Sequence, residues 1–213
     1  MYTGITRGVF PVVAVERHAG HTHFTVQLSP ELSQGVGIGA SVAIDGVCCT
    51  VVLHDGVQLG FDAMQETRSL TTLGELQVGR GVSVERSARL GDELGGHDVY
   101  GHVIGTGTVS AVRSIGAQLD LTITVPAAWL KYILHKGFIA VDGSSLTVGA
   151  VTRPGPGETL GSFELHLIPE TVRVTNFGRK RVGDRVNIEL DPRTVAIVDT
   201  VERVLEERAL AGR

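Results

Sequence analysis

Two stretches of this chain share one frame and carry different reactive groups. "SVAIDGVCCTV" begins at Ser41 and "FIAVDGSSLTV" begins at Phe138. At an offset of 97, Asp45-Gly46 falls on Asp142-Gly143 and Thr50-Val51 on Thr147-Val148. Between them Val47 becomes Ser144, and Cys48 becomes Ser145. An ionised thiol acts as a base or nucleophile, whereas a hydroxyl needs a neighbouring base to do either. The repeat therefore offers two related sites with different chemistry. Histidines gather in two further places, His97 and His102 in the glycine-rich "GGHDVYGH", and His18, His21 and His23 in "RHAGHTH". The His97–His102 spacing is not a helical i,i+4 pair and no cysteine or carboxylate cluster accompanies it, so no metal is expected there. The other three are read as surface residues in a loop before a strand.

The elements around these residues read as β-strands. Short runs of Val, Ile, Leu and Thr alternate with Gly and Asp-Gly, which points to an all-β barrel or sandwich. Asp-Gly suits the positive φ of tight hairpin turns, so "VAIDGVCCTVV" and "VVLHDGVQLGF" are hairpins. Alternation along the strand puts Cys48 and Thr50 on one face and Cys49 on the other, with Ser145 and Thr147 set against Leu146 in the same way. Two readings of these residues stand. Cys48 is a thiolate in a pocket or a small buried hydrophobe, and Thr50 and Thr147 are ligand contacts or ordinary strand formers.

The repeat runs along the whole chain. Gly4 falls on Gly101 and Gly8 on Gly105; then, at an offset of 104, Glu66-Thr67 falls on Glu170-Thr171 and "VGRGVSVE" on "VGDRVNIE". The seven extra residues lie around "TRPGPGETLGS", a loop where added length is cheap. This places one barrel in residues 1–96 and a second in 97–191, with "LGDELGGH" as linker. "DPRTVAIVDTVERVLEERAL" begins a helix over 192–213, with Pro192 in its first turn. Its stripe of Val195, Val198, Val201 and Leu205 either packs back on the second barrel or pairs with other copies of the chain.

Composition excludes several classes. The net charge of −4 gives no basic footprint for nucleic acid. No apolar run is long enough for a membrane span, and "MYTGITRG" does not read as a signal peptide. The two cysteines are adjacent and point to opposite faces, which argues against a disulfide between them and for a reduced, cytoplasmic protein. There is no G-x-G-x-x-G between strand and helix, so a nicotinamide-linked flavin oxidoreductase is disfavoured.

With "MYTGI", "DGVCCT", "FDAMQETRSLTTLG", "GGHDVYGH", "KGFIAVDGSSLTV", "HLIPETVRVTNFG" and "VNIELDP" in this order inside a duplication, the chain resembles the riboflavin synthase family, alpha-chain type. The resemblance implies two tandem six-stranded Greek-key barrels and a homotrimer joined through the C-terminal helices. It implies that two molecules of 6,7-dimethyl-8-ribityllumazine react, one giving four carbons to the other. The products are riboflavin and 5-amino-6-ribitylamino-pyrimidinedione. No metal or redox cofactor is implied. The active site is expected between the first barrel of one chain and the second barrel of its neighbour. Association with lumazine synthase stays open. A non-catalytic antenna protein of the same fold, with one working pocket, is the alternative; the survival of both repeat motifs favours the enzyme.

The same resemblance implies the contacts. From the first unit these are Tyr2, Gly4, Ile5, Thr6 and Ser41, the strand residues Cys48, Cys49 and Thr50, and "DAMQET" (Asp62, Ala63, Met64, Gln65, Glu66, Thr67). From the second they are His97, Gly101, His102, Val103 and Lys136, the strand residues Ser145, Leu146 and Thr147, and "HLIPET" (His166, Leu167, Ile168, Pro169, Glu170, Thr171). Asp62 opposite His166, and Ile5 opposite His102, are columns where the two sites should differ. Because the C7 methyl of the substrate is acidic in itself, the protein supplies mainly proximity and proton transfer. Cys48, His102, Ser145 and Asp191 are the catalytic candidates, and no single base is assigned among them. Tyr2 stands where the family usually has Phe, and its hydroxyl must find a partner.

Overall fold

The computed structural model describes residues 1–211. The first repeat forms β1 (Gly8–Arg17), β2 (His21–Gln27), a one-turn helix α1 (Pro30–Ser33), β3 (Ser41–Ile44), β4 (Val47–Asp55), β5 (Gln58–Met64), a short helix α2 (Gln65–Leu70) and β6 (Gly81–Arg86). The second forms β7 (Gly105–Ile115), β8 (Gln118–Pro126), β9 (Phe138–Val141), β10 (Ser144–Thr152), β11 (Leu160–Leu167), a short helix α3 (Pro169–Val174) and β12 (Arg185–Leu190). Helix α4 (Pro192–Ala211) follows; Gly212 and Arg213 of the expected helix lie outside the described residues. Each set of strands closes an antiparallel barrel, in the order β1-β2-β5-β4-β3-β6 and then β7-β8-β11-β10-β9-β12. The pairing of β2 with β5, and of β8 with β11, across the intervening hairpin is the Greek-key step.

The local sequence accounts for these elements. Asp45-Gly46 (φ 44° and 79°) and Asp142-Gly143 (φ 43° and 80°) make the two-residue turns that join β3 to β4 and β9 to β10. Val47, Cys49 and Val51 of β4 face the barrel interior, and Cys48, Thr50 and Val52 face out. Equivalent register breaks fall at Val12/Ala14 and Val109/Ala111, where the added twist helps the sheet to close. The long loop of the second repeat lies between β10 and β11, where the Pro/Gly-rich insertion was expected. His21 and His23 belong to β2 itself; only His18 is in the preceding turn, because the chain reverses at Ala19-Gly20.

The barrels meet about a pseudo-twofold axis. A Cβ on Gly46 would lie 2.3 Å from Gly143 N, so the two turns touch through main chain. Tyr2, Val99, Ala43 and Ala140, two pairs of equivalent residues, form a small apolar cluster between the two main cores. Beside it lies a buried polar seam. Asp45 accepts from Ser83 N at 2.7 Å and from Asn176 Nδ2 at 2.9 Å, and pairs with Arg80. Asp142 accepts from Asn187 N at 2.7 Å and pairs with Lys180 at 2.7 Å. The Asn187 side chain bridges to Thr72 and the Asp45 carbonyl of the other barrel. Burial, then the like charge of Asp142, pushes the Asp45 carboxyl up to about 7.

Helix α4 packs back on the second barrel over its first turns and leaves the rest of its apolar stripe exposed. Val195 packs on the second core, and Asp199 accepts from Tyr132 Oη at 2.6 Å and from Lys131 Nζ at 3.2 Å. Further along, Ile197, Val201, Val204 and Leu205 remain exposed.

Candidate functional site

The two barrels carry a matched pair of cavities beside the β3–β4 and β9–β10 hairpins, built from equivalent elements. The first, about 490 Å³, is lined by Val47 and Cys48 of β4, by Glu66, Thr67, Leu70 and Thr71 at α2, and by Gly101, His102 and Val103. The second, about 420 Å³, is lined by Ser144, Ser145 and Leu146 of β10, by Ile168, Glu170, Thr171, Val174 and Thr175 at α3, and by residues 4–7. These volumes suit one small organic ligand each. The segments that close them are exchanged. Residues 101–103, from the second repeat, wall the first barrel's cavity, and residues 4–7, from the first repeat, wall the second.

The exchange depends on two glycines. Cys48 N–H donates to Gly101 O at 3.1 Å, and Ser145 N–H donates to Gly4 O at 2.8 Å. Gly4 (φ +72°) and Gly101 (φ +76°) leave no room for a side chain; a Cβ would lie 2.5 Å from Ser145 Cβ or 2.6 Å from Cys48 Cβ. Two buried glutamates hold the crossing segments. Glu85 accepts from Thr3 N at 2.7 Å and Thr3 Oγ1 at 2.8 Å. Glu189 accepts from Tyr100 N at 2.7 Å and Gly101 N at 2.9 Å. Burial raises both carboxyls above the ordinary carboxylate range. Motif reading missed this pair, although the matched "VSVE" and "VNIE" ends already align them.

The equivalent residues Cys48 and Ser145 have different partners. Tyr2 Oη donates to Cys48 Sγ at 3.1 Å. Ser145 Oγ lies 2.6 Å from His97 Nδ1 and accepts from His97 N–H at 3.2 Å. The His97 ring stacks on Phe138 with centroids 5.2 Å apart. Burial lowers the proton affinity of His97, against the pull of Asp191 and Asp98. Asp191 itself caps α4, accepting from Thr194 N at 3.0 Å and Thr194 Oγ1 at 2.6 Å. His102 borders the first cavity and Ile5 the second, so that column differs as expected.

The other column, Asp62 opposite His166, differs less than its residue types suggest. His23 lies across from Asp62 with Nδ1 2.7 Å from the carboxylate, and Asp120 lies across from His166 at 2.8 Å. Both barrels hold a His–Asp pair, with the partners exchanged between strands. Asp120 is held down to about 2 by hydrogen bonds from Gln118, His166 and Arg113.

The remaining candidates spread around the cavities. Cys49, Ala63 and Leu167 are core residues, so only their main chain faces outward. Leu146 is buried but reaches the second cavity. Thr50 and Thr147 are exposed further along their strands; Thr50 is opposite Ser41 and Thr147 opposite Phe138. Met64 and Ile168 are the exposed residues preceding α2 and α3, Pro169 opens α3, and Gln65 faces a separate surface hollow with Arg68. Lys136 is exposed at φ 64°, where the first repeat has Gly39 at φ 83°, so a strained conformation is kept with a cation in place of glycine.

The duplicated barrel thus carries two cavities of similar size built from equivalent elements. The chain matches the family model of the lumazine binding domain twice, over residues 3–87 and 100–191. It is 44% identical over 209 residues to the riboflavin synthase of Escherichia coli (strain K12), with 98% of this chain and 95% of that one covered. Riboflavin synthase of Chlamydia muridarum (strain MoPn / Nigg) is 39% identical over 208 residues, with 98% of each chain covered. Among solved structures, LumP complexed with riboflavin superposes with a TM-score of 0.80 at 23% identity, covering 90% of this chain and 100% of that one, a likeness of fold. The chain belongs to the riboflavin synthase branch of the lumazine-binding family.

Proposed function

We propose that this chain is a riboflavin synthase, a transferase that moves a four-carbon unit between two molecules of 6,7-dimethyl-8-ribityllumazine. The observation that carries this reading is a pair of equivalent cavities whose reactive positions differ, Cys48 in one and Ser145 in the other. A dismutation needs two copies of one ligand in different roles. The shared frame recognises the common ligand, with Thr67 and Thr171 on the short helices and the main chain beside Gly4 and Gly101. The differing residues separate donor from acceptor.

The proton steps fall to groups already paired. His97, whose proton affinity burial lowers, sits 2.6 Å from the Ser145 hydroxyl; with Nδ1 unprotonated it takes the hydroxyl proton, which makes the serine a base or a nucleophile beside the second cavity. Cys48 and His102 face the first cavity and assist the partner ring. Asp191 acts on this chemistry from a distance, through its charge on His97, while capping α4. The rest of the rate comes from holding two rings in reacting geometry.

We further infer a homotrimer whose active site combines the first barrel of one chain with the second barrel of the next. The exposed Ile197, Val201, Val204 and Leu205 of α4 support such a contact. Cytoplasmic residence is supported by the free, exposed thiol of Cys48.

The test is direct. Purified protein without added cofactor is expected to convert the lumazine to riboflavin, two substrates consumed per product, as followed by absorbance of both species. Tight binding of the lumazine with no riboflavin formed would overturn the enzymic reading in favour of an antenna protein.

A further inference from the structure

Tyr2 is wholly buried, and its main chain is pinned between the repeats. Tyr2 N–H donates to Val99 O at 2.6 Å, and Val99 N–H to Tyr2 O at 3.1 Å. Its ring fills the apolar cluster on the pseudo-twofold axis. From there the phenol reaches Cys48 Sγ at 3.1 Å, on the residue that borders the first cavity. The equivalent of Tyr2 in the second repeat is Val99, which has no polar side-chain atom. There the Ser145 hydroxyl is met from another column, by His97. The two contacts differ in kind: a phenol donates to the sulfur, whereas an imidazole nitrogen pairs with the serine hydroxyl. Burial raises the phenol above its ordinary value, so it stays protonated and remains the donor.

We propose that Tyr2 is a positioning residue of the first cavity: its hydroxyl holds the Cys48 sulfur as a hydrogen-bond acceptor and fixes the direction in which the thiol faces the ligand. The two repeats thereby acquire different hydrogen-bond partners at equivalent positions. The catalytic consequence rests on the synthase reading, but the restraint on the thiol does not.

Tyr2→Phe in the full chain removes only the hydroxyl, and the family resembled by this sequence usually has Phe there. Alkylation of Cys48 by iodoacetamide, at one pH and without ligand, reads the restraint on the resting protein; Cys49, buried in the core, is the internal blank. A hydrogen bond donated to a developing thiolate favours it, so alkylation is expected to slow about three- to tenfold in Tyr2→Phe. The kcat is expected to fall by a similar factor with KM little changed. In a Cys48→Ala background, Tyr2→Phe is expected to have no further effect on kcat. An unchanged alkylation rate would overturn the proposal, as would a changed rate with unaltered kcat. A loss of kcat just as large in the Cys48→Ala background would overturn it too. Should the wild-type chain make no riboflavin, the synthase reading fails, and the alkylation rate alone decides whether Tyr2 restrains the thiol.

Discussion

Replacing Gly101 by alanine tests whether the exchanged segment builds the first cavity. Three effects add. The backbone at φ +76° disfavours any Cβ by about 1 kcal/mol. The new Cβ would lie 2.6 Å from Cys48 Cβ and 2.7 Å from Cys48 N, against an ordinary carbon contact of roughly 3.5–4.0 Å. The neighbours there are main chain and a β-carbon, which no rotamer change can move aside. Residues 100–102 must therefore retreat by about 1 Å, which breaks the Cys48 N–H bond to Gly101 O at roughly 1 kcal/mol. The same movement loosens the bonds to Glu189. The strain and the lost bond together cost about 2 kcal/mol of stability, and a displacement of that size in a reacting geometry lowers turnover on the order of 100-fold. Urea denaturation and steady-state lumazine turnover measure the two quantities. Gly20→Ala, where a Cβ would meet nothing within 4 Å, is the control. If Gly101→Ala kept both its denaturation midpoint and its turnover within about threefold of wild type, the account of the crossing segment would be wrong.

Three other perturbations bear on the seam, the cavities and the helix. Asp45 holds its proton up to about pH 7, so it stabilises the fold fully below the unfolded carboxylate value near 4 and loses that contribution as pH rises through 7. The stability difference between wild type and Asp45→Asn should shift against wild type by up to roughly 4 kcal/mol between pH 4 and 8 in chemical denaturation; a pH-independent difference would contradict the raised value. Cys48→Ser is expected to reduce turnover with ligand binding kept, and Ser145→Cys to weaken both. The double exchange should not restore the rate, because Tyr2, His97 and His102 still distinguish the sites; recovery in steady-state assays would mean that the cavities are interchangeable. A chain ending at Pro192 should sediment as a monomer and lose most activity, and an active monomer would refute the shared site.

Much of the architecture was legible before any coordinates. The duplication, the Asp-Gly turns and the outward face of Cys48 follow from spacing, since one strand's alternation fixes which side chains leave the core. The match of Ile5 with His102 likewise pointed to a real difference between the cavities. Other features arise only between elements. Gly4 and Gly101 could be aligned in sequence, but their crossing to the opposite barrel could not, because it depends on how two closed sheets pack about an axis. Asp62 and His166 looked like an asymmetry until the strand register supplied His23 and Asp120 as their partners. The stripe on α4 left two courses open; the barrel covers the helix as far as Val195 and Asp199 and leaves Val201 and Leu205 exposed. The sequence by itself determined two like barrels with unlike reactive residues. Only the tertiary structure decided that Tyr2 meets Cys48 and His97 meets Ser145, because these contacts are set by the path of the segments between the barrels, which no periodicity within a strand records.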